Sequence, residues 1–244
     1  MIVQLVDQLR TDIDADTIIG IGIAATGVVE DGVIRESTVL GWRDLDLRGM
    51  LERRFGFPVT ISNDVVCSML AERFFGHGDK SMLFIKIDRG IGAATLIDDV
   101  TVIGQNHAGG EIGHISLDPE SGVLCPCGKR GCLETMVTSP VIRERIRRAS
   151  TPEEQLDIIR SCGEQLAAAL AMPIGLLDIN DICVYGPPDI VNAAFLEATQ
   201  RRVDMVSSSK FHKHTSVRRC QVGSDIALRG SAIDVVHHYI ENGH

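Results

Sequence analysis

Residues 125–132 read Cys-Pro-Cys-Gly-Lys-Arg-Gly-Cys. Three thiols at C-x-C-x4-C spacing can wrap one small cation. The two glycines among them take the positive-φ conformations that a tight ligand loop needs. Tetrahedral zinc wants four N/S ligands, and Cys3His is a standard structural set. His114, upstream of Cys125, is the nearest sensible fourth ligand. A structural zinc on His114, Cys125, Cys127 and Cys132 is therefore expected. The alternative, free or disulfide-bonded cysteines, suits the spacing and the glycines less well. Cys67, Cys162, Cys183 and Cys220 fall inside predicted helices or strands and read as small buried hydrophobes.

The same region carries carboxylates. Glu111 and His114 are three residues apart in Gly109-Gly110-Glu111-Ile112-Gly113-His114, so one helical turn would face them the same way. Glu134 follows the last cysteine of the cluster. A metal-fixed imidazole keeps its second nitrogen as a fixed hydrogen-bonding group. Flanked by carboxylates, it suits a ligand rich in hydroxyls. Asn63-Asp64, at the end of a predicted strand and the start of a helix, is a second polar pair; either residue could instead be a helix N-cap.

These side chains must be held by a folded scaffold, and the composition supplies one. The chain has 244 residues, enough for one large domain or two ordinary lobes. Hydrophobic residues are 44 % and charged residues 23 %, which excludes a disordered chain, a collagen-like repeat and a coiled coil. Aromatics at 4 % argue against a reader of single-stranded nucleic acid. A net charge of −9 without an extended basic block argues against phosphate-backbone binding. The N-terminus lacks a signal-peptide pattern, and no stretch approaches the roughly 18 apolar residues of a membrane span. Seven cysteines without such a signal point to the reducing cytoplasm.

The patterning predicts a helix over 3–12, a buried strand over 18–25 and a hairpin over 28–34 on an Asp-Gly turn. A helix over 46–55 stops at Gly56, a strand covers 58–62 and a helix 65–75. Strands follow at 82–87, 93–97 and 100–103, then a polar loop over 104–131. Helices are expected at 139–148, 152–177, 189–204 and 227–240, with strands at 181–185 and 217–222 and a loop at 207–210. Strands alternating with helices give an α/β fold with added hairpins.

Five segments together resemble the ROK family of repressors, open reading frames and sugar kinases. They are Gly-Ile-Ala-Ala-Thr-Gly-Val-Val at 22–29, Leu-Gly-Trp-Arg-Asp at 40–44, Ser-Asn-Asp-Val-Val-Cys-Ser-Met-Leu-Ala-Glu at 62–72, Gly-Glu-Ile-Gly-His at 110–114, and the cysteine segment continued to Leu133-Glu134. The resemblance implies a two-lobed actin-like or ribonuclease-H-like ATPase fold, its first lobe incomplete at the N-terminus. Residues 1–62 would form a partial small lobe completed by 226–244. Residues 63–225 would form the large lobe, with the zinc loop at 104–134. It further implies a hexose or amino sugar between the lobes, contacted by Asn63, Asp64, Glu111, His114 and Glu134. Asp64 matches the kinases' catalytic base.

The departures from the family pattern favour a sensor over a kinase. No Asp-x-Gly-Gly-Thr phosphate loop precedes Ile18. The second phosphate loop, Gly-Thr-Gly-x-Gly in the kinases, reads Asp88-Arg89-Gly90-Ile91-Gly92, and a later Gly-Gly reads Gly186-Pro187-Pro188. The expectation is the sugar-binding effector part of a transcriptional regulator. It would be a fragment of a longer chain with a helix-turn-helix, a homodimer or tetramer, and without DNA contact of its own. The alternative is an ATP- and Mg2+-dependent sugar kinase of glucokinase or N-acetylhexosamine kinase type. Trp42 could line the sugar pocket or pack the lobe edge. His212, His214, His237, His238 and His244 lack carboxylate or cysteine companions in sequence and read as surface residues. Arg143, Arg145, Arg147 and Arg148, with Glu144 among them, read as a solvated helix face.

Overall fold

A computed structural model of the chain describes residues 2–37, 39–207 and 213–242. The chain divides into two compact units, Met1–Phe75 with Val222–His244, and Gly76–Gln221.

In the first unit, α1 (Ile2–Leu9) runs into short 3-10 turns. Strand β1 (Ile21–Ala25) pairs in parallel with β5 (Val59–Asn63), while β2 (Val28–Glu30), β3 (Val33–Ser37) and β4 (Trp42–Leu45) form an antiparallel sheet. Helix α2 (Leu47–Phe55) starts where the Asp46 carboxylate accepts the Gly49 N–H, and it ends at Gly56 in a left-handed conformation. Its Leu47, Leu51 and Phe55 pack on Ile34, Val59 and Ile61 to make the core of this unit. Helix α3 (Asp64–Phe75) follows β5 directly.

The second unit is built on a five-stranded sheet of β6 (Met82–Ile87), β7 (Ile91–Ile97), β8 (Val100–Val102), β9 (Asp181–Tyr185) and β10 (Ser216–Arg219). The order is β10-β9-β6-β7-β8, with β6, β9 and β10 parallel and β6, β7 and β8 antiparallel. Central β6 is apolar except for the half-buried Lys86, as suits a strand covered on both faces. Helices α4 (Glu134–Val137), α5 (Ser139–Arg148), α6 (Pro152–Leu177) and α7 (Ala193–Ser207) complete the unit. Leu166, Leu170 and Ile174 of α6 meet Ile85, Ile87 and Phe195 in its core. The chain then returns to the first unit as α8 (Ile226–Glu241), which lies on α3, β1 and β5.

The boundary between the units falls at 75/76, whereas the sequence suggested 62/63. Helix α3 belongs with α8 because the two approach so closely. A Cβ on Gly230 would sit 1.6 Å from the Cys67 carbonyl oxygen. Other elements shift at their ends. Helix α7 starts at 193 rather than 189, because Ile190 and Val191 N–H fold back on the Pro187 carbonyl and Asn192 then caps the helix through the Phe195 N–H. Strand β1 begins at 21 and β10 covers 216–219. Strand β4 and the single turn α4 were not expected. Of the predicted 207–210 loop, Ser207 ends α7, and 208–210 lie outside the described residues. Among the described residues, no helix is long and apolar enough to cross a membrane.

Candidate metal and ligand site

The cysteine loop hangs from the sheet edge by backbone contacts. Gly110 accepts the Ala93 N–H of β7 at 2.8 Å with φ +93°, and a Cβ there would lie 1.9 Å from the Ala93 oxygen. Only glycine brings the chain this close to β7. The next residues, Ile112–His114, form one 3-10 turn with Ile112 buried beneath it. His114 thus emerges at a fixed place over the second unit. The loop then doubles back. Leu117 N–H bonds the Gly131 carbonyl, Leu133 N–H bonds the Ile115 carbonyl, and Ser116 bridges Cys132. A tighter turn inside it pairs Leu124 with Arg130 and joins the Cys125 N–H to the Lys129 carbonyl at 2.8 Å. This double ladder gathers one donor atom each from His114, Cys125, Cys127 and Cys132 within 4.8 Å of one another.

The distances suit a tetrahedral ion. Ligands about 2.3 Å from zinc give tetrahedron edges of roughly 3.6–3.8 Å. The Cys127 and Cys132 sulfurs are 3.6 Å apart, and Cys125 Sγ is 3.7 Å from His114 Nδ1. It is therefore Nδ1 that faces the thiols, while Nε2 lies 3.9 Å from the Glu111 carboxylate. Glu134, at the start of α4, places Oε1 2.9 Å from Cys125 Sγ and 3.4 Å from His114 Nδ1. The Lys129 ammonium donates to the His114 carbonyl at 2.7 Å and clips the 3-10 turn to the cysteine turn. Nothing in the sequence pattern distinguished Lys129 from an ordinary surface lysine.

The thiols differ chemically. Burial, aided by the Glu134 hydrogen bond, pushes the Cys125 thiol up to about 12. Burial also raises Cys132, whereas the Lys129 N–H holds the exposed Cys127 down to about 7. Cys67, Cys162, Cys183 and Cys220 are buried, as expected of core residues.

In the first unit Asn63 is the N-cap of α3. Its Oδ1 accepts the Val65 and Val66 N–H groups at 2.8 and 3.3 Å, and its Nδ2 donates to the Gly27 carbonyl at 2.8 Å. Both ends of the carboxamide are thus engaged. Asp64, half-buried, opens the helix, and its carbonyl accepts the Ser68 hydroxyl. Trp42 pairs with Ser37 and packs against the core of this unit.

The C-terminal histidines and the α5 arginines are mostly surface residues, as the sequence suggested, but several have partners. His214 has a carboxylate companion after all, Asp204 at 3.5 Å. His237 and His238 are half-buried, the first against the Phe74 ring and the second bonded by Asn242. His212 and His244 lie outside the described residues. On α5, Arg147 and Arg148 pair with Glu144 on the surface, but Arg145 donates to the buried Cys162 sulfur and Arg143 forks onto Asp189 at 2.9 and 3.0 Å. Asp88 adds to the field that raises Arg143, and Arg143 holds Asp189 below the usual carboxylate range. The Asp88–Gly92 turn closes by a bond from Asp88 N–H to the Gly90 carbonyl, and the Arg219 guanidinium ties the Gly186 and Val191 carbonyls together.

A parallel-centred α/β sheet carrying a Cys3His loop beside three consecutive sheet strands defines a narrow class of protein. The ROK family profile matches residues 1–236, and the chain belongs to that family. It has the family's two-lobed, actin-like and ribonuclease-H-like fold. A solved ROK family transcriptional regulator, described as a homologue of the Escherichia coli Mlc protein, superposes with a TM-score of 0.84 at 23 % identity, over 98 % of this chain and 67 % of its own. A glucokinase of Halalkalibacterium halodurans is 40 % identical over 126 residues, 50 % of this chain and 38 % of that protein. A xylose repressor of Caldicellulosiruptor bescii is 30 % identical over 135 residues, 54 % of this chain and 34 % of that protein. The chain thus spans well under half of these two curated relatives.

Proposed function

We propose that the chain is the sugar-binding effector part of a ROK transcriptional regulator, sensing a hexose or amino sugar and stiffened by a structural zinc. The metal reading rests on the donor set: three sulfurs and one imidazole nitrogen within 4.8 Å of one another, two of the separations being 3.6 and 3.7 Å. With four protein ligands, zinc would supply no open position for chemistry; it would hold the loop that carries Glu111, His114 and Glu134. Asn63, Asp64, Glu111, His114 and Glu134 supply the sugar contacts. Bound sugar favours one lobe arrangement over another, and in a longer regulator that preference would reach the DNA-binding heads.

The observation that carries the sensor over the enzyme is the charge at the positions where family kinases hold phosphates. Asp88 and Arg89 stand in the 88–92 turn, and the nearby Arg143 is already neutralised by a bidentate Asp189. Phosphoryl transfer depends on clamping and neutralising phosphate charge, and added carboxylates oppose that. One observation favours a second reading, an ATP-dependent sugar kinase with Asp64 as catalytic base. The H. halodurans glucokinase is more identical to the chain than the repressors are.

Calorimetry against hexoses, N-acetylhexosamines and their 6-phosphates, without nucleotide, tests the sensor. Binding of one of them, together with about one zinc per chain, is expected. Silence across the panel overturns the sensor. Sugar-dependent ADP release that Asp64→Asn abolishes establishes the kinase instead. The protein is expected to be a dimer or tetramer in the cytoplasm, with no DNA contact from these residues.

A further inference from the structure

The four donors of the loop are not equally protected. Cys125 and Cys132 are buried, and Cys125 Sγ is also engaged by Glu134 at 2.9 Å. Cys127 alone is exposed. Its sulfur lies 3.6 Å from that of Cys132. A disulfide needs about 2.05 Å, so the two sulfurs must close by roughly 1.5 Å. The backbone around them decides which one moves. Cys132 is pinned, because it bridges Ser116 and the adjoining Leu133 N–H bonds the Ile115 carbonyl. Cys127 stands at the tip of the turn beside Gly128, where even an added Cβ would meet nothing within 4 Å. Cys127 is therefore the sulfur that shifts, giving up the bond from the Lys129 N–H, while the ladder beneath Cys132 stays in place.

We propose that Cys127 is an oxidative modification site, with Cys132 as its resolving thiol and a peroxide as the oxidant. This rests on the zinc reading above for its consequence, but not for its chemistry. The Cys127 sulfur attacks one peroxide oxygen, the O–O bond breaks, and a sulfenic acid and water (or alcohol) result. The Cys132 sulfur then attacks Cys127 Sγ. The S–S bond forms, the S–O bond breaks, and the oxygen leaves as water with the thiol proton. Two thiols lose two electrons and the peroxide gains them. The product removes two sulfurs from the donor set, leaving His114 and Cys125, too few to retain a tetrahedral ion. The metal leaves, and the loop carrying Glu111, His114 and Glu134 loses its staple. Cys67, Cys162, Cys183 and Cys220 are buried and stay reduced under the same exposure.

The experiment is hydrogen peroxide treatment of the whole chain, as purified and after chelator stripping. Zinc release is followed with a chromophoric chelator, and the cysteines are mapped by alkylation and mass spectrometry. The expected result is a Cys127–Cys132 crosslink in both samples, zinc release in step with it from the loaded sample, and recovery with dithiothreitol and added zinc. Cys162→Ser should leave all of this unchanged. A crosslink through Cys125, sulfinic acid at Cys127 with Cys132 still alkylatable, or stripped protein whose thiols persist would each overturn the proposal. Protein that carries no zinc as purified would refute the metal reading alone, since the stripped sample still reports the crosslink.

Discussion

Zinc must compete with protons for the three sulfurs, and the structure sets the terms of that competition. A metal ligand is a thiolate, so every sulfur that is protonated in the metal-free chain has to release its proton on binding. Cys125, at about 12, and Cys132, raised by burial, are thiols throughout the neutral range. Cys127, at about 7, is half ionised at neutrality. Zinc uptake should therefore release about 2.5 protons from the cysteines at pH 7 and about 2 at pH 8.5. The sign follows directly. Affinity falls as pH falls, and linkage makes the slope of log affinity equal to the proton count. The cysteines alone should make affinity rise by about two to three orders of magnitude per pH unit near neutrality, and by less above it as Cys127 becomes fully ionised. Titration calorimetry in buffers of different ionisation enthalpy gives the proton count. A cysteine count near about 0.5 at pH 7 would mean that Cys125 and Cys132 are already thiolates, and the account of burial and Glu134 would fail. A count unchanged between pH 7 and 8.5 would refute the assignment of Cys127.

Four further outcomes follow from the geometry. Cys125→Ser should weaken sugar binding by loosening the loop that carries Glu111 and His114; calorimetric affinity unchanged in a zinc-free variant would separate metal from sugar. Gly230→Ala, whose methyl would drive into the Cys67 carbonyl, should destabilise the first unit by about 2–3 kcal/mol, while Gly175→Ala in exposed α6, with nothing within 4 Å, should stabilise by about 0.5–1 kcal/mol. Denaturant melts will show whether the two signs differ. Asn63→Ala should cost about 1–2 kcal/mol through the lost cap, and Asn63→Asp less, because a carboxylate still accepts the Val65 N–H; equal losses in the same melts would refute the cap. Asp181→Ala should cost about 2–3 kcal/mol in the same melts, since it removes the carboxylate that accepts from the Arg218 guanidinium at 2.7 and 2.9 Å and from the Asp79 N–H.

Elements with one strong local signal were legible from the residues alone. Helices α5 and α6 and strand β9 have the predicted bounds, because Pro140 and Pro152 mark the helix starts and β9 is a short apolar run closed by Gly-Pro-Pro. Strand β4 was not, since Trp42-Arg43-Asp44-Leu45 acquires strand character only by pairing with β3. The two readings of Asn63 also needed three dimensions. Its spacing allowed a cap, but the bond to the Gly27 carbonyl joins residues far apart in the chain. The grouping of His114 with Cys125, Cys127 and Cys132 was readable because these residues lie within one loop and their types are rare. Arg143 is exposed, as the solvated-face reading has it, but its partner Asp189 was not foreseen because it sits beyond α6, where helix periodicity is silent.

The return of α8 to the first unit bears on how the chain is made. Residues 76–221 are continuous, so that unit is fully synthesised before α8 is made. The other unit is discontinuous. Strands β1 and β5 and helix α3 emerge before the second unit, and α8, which covers them, emerges after it. Nascent chain on the ribosome would hold one finished unit and one waiting with an uncovered apolar face. Emergence of α8 would be the step that closes it. A stop codon just before Ile226 would therefore spare the half that carries the cysteines and leave the half that carries Asn63 and Asp64 to proteases.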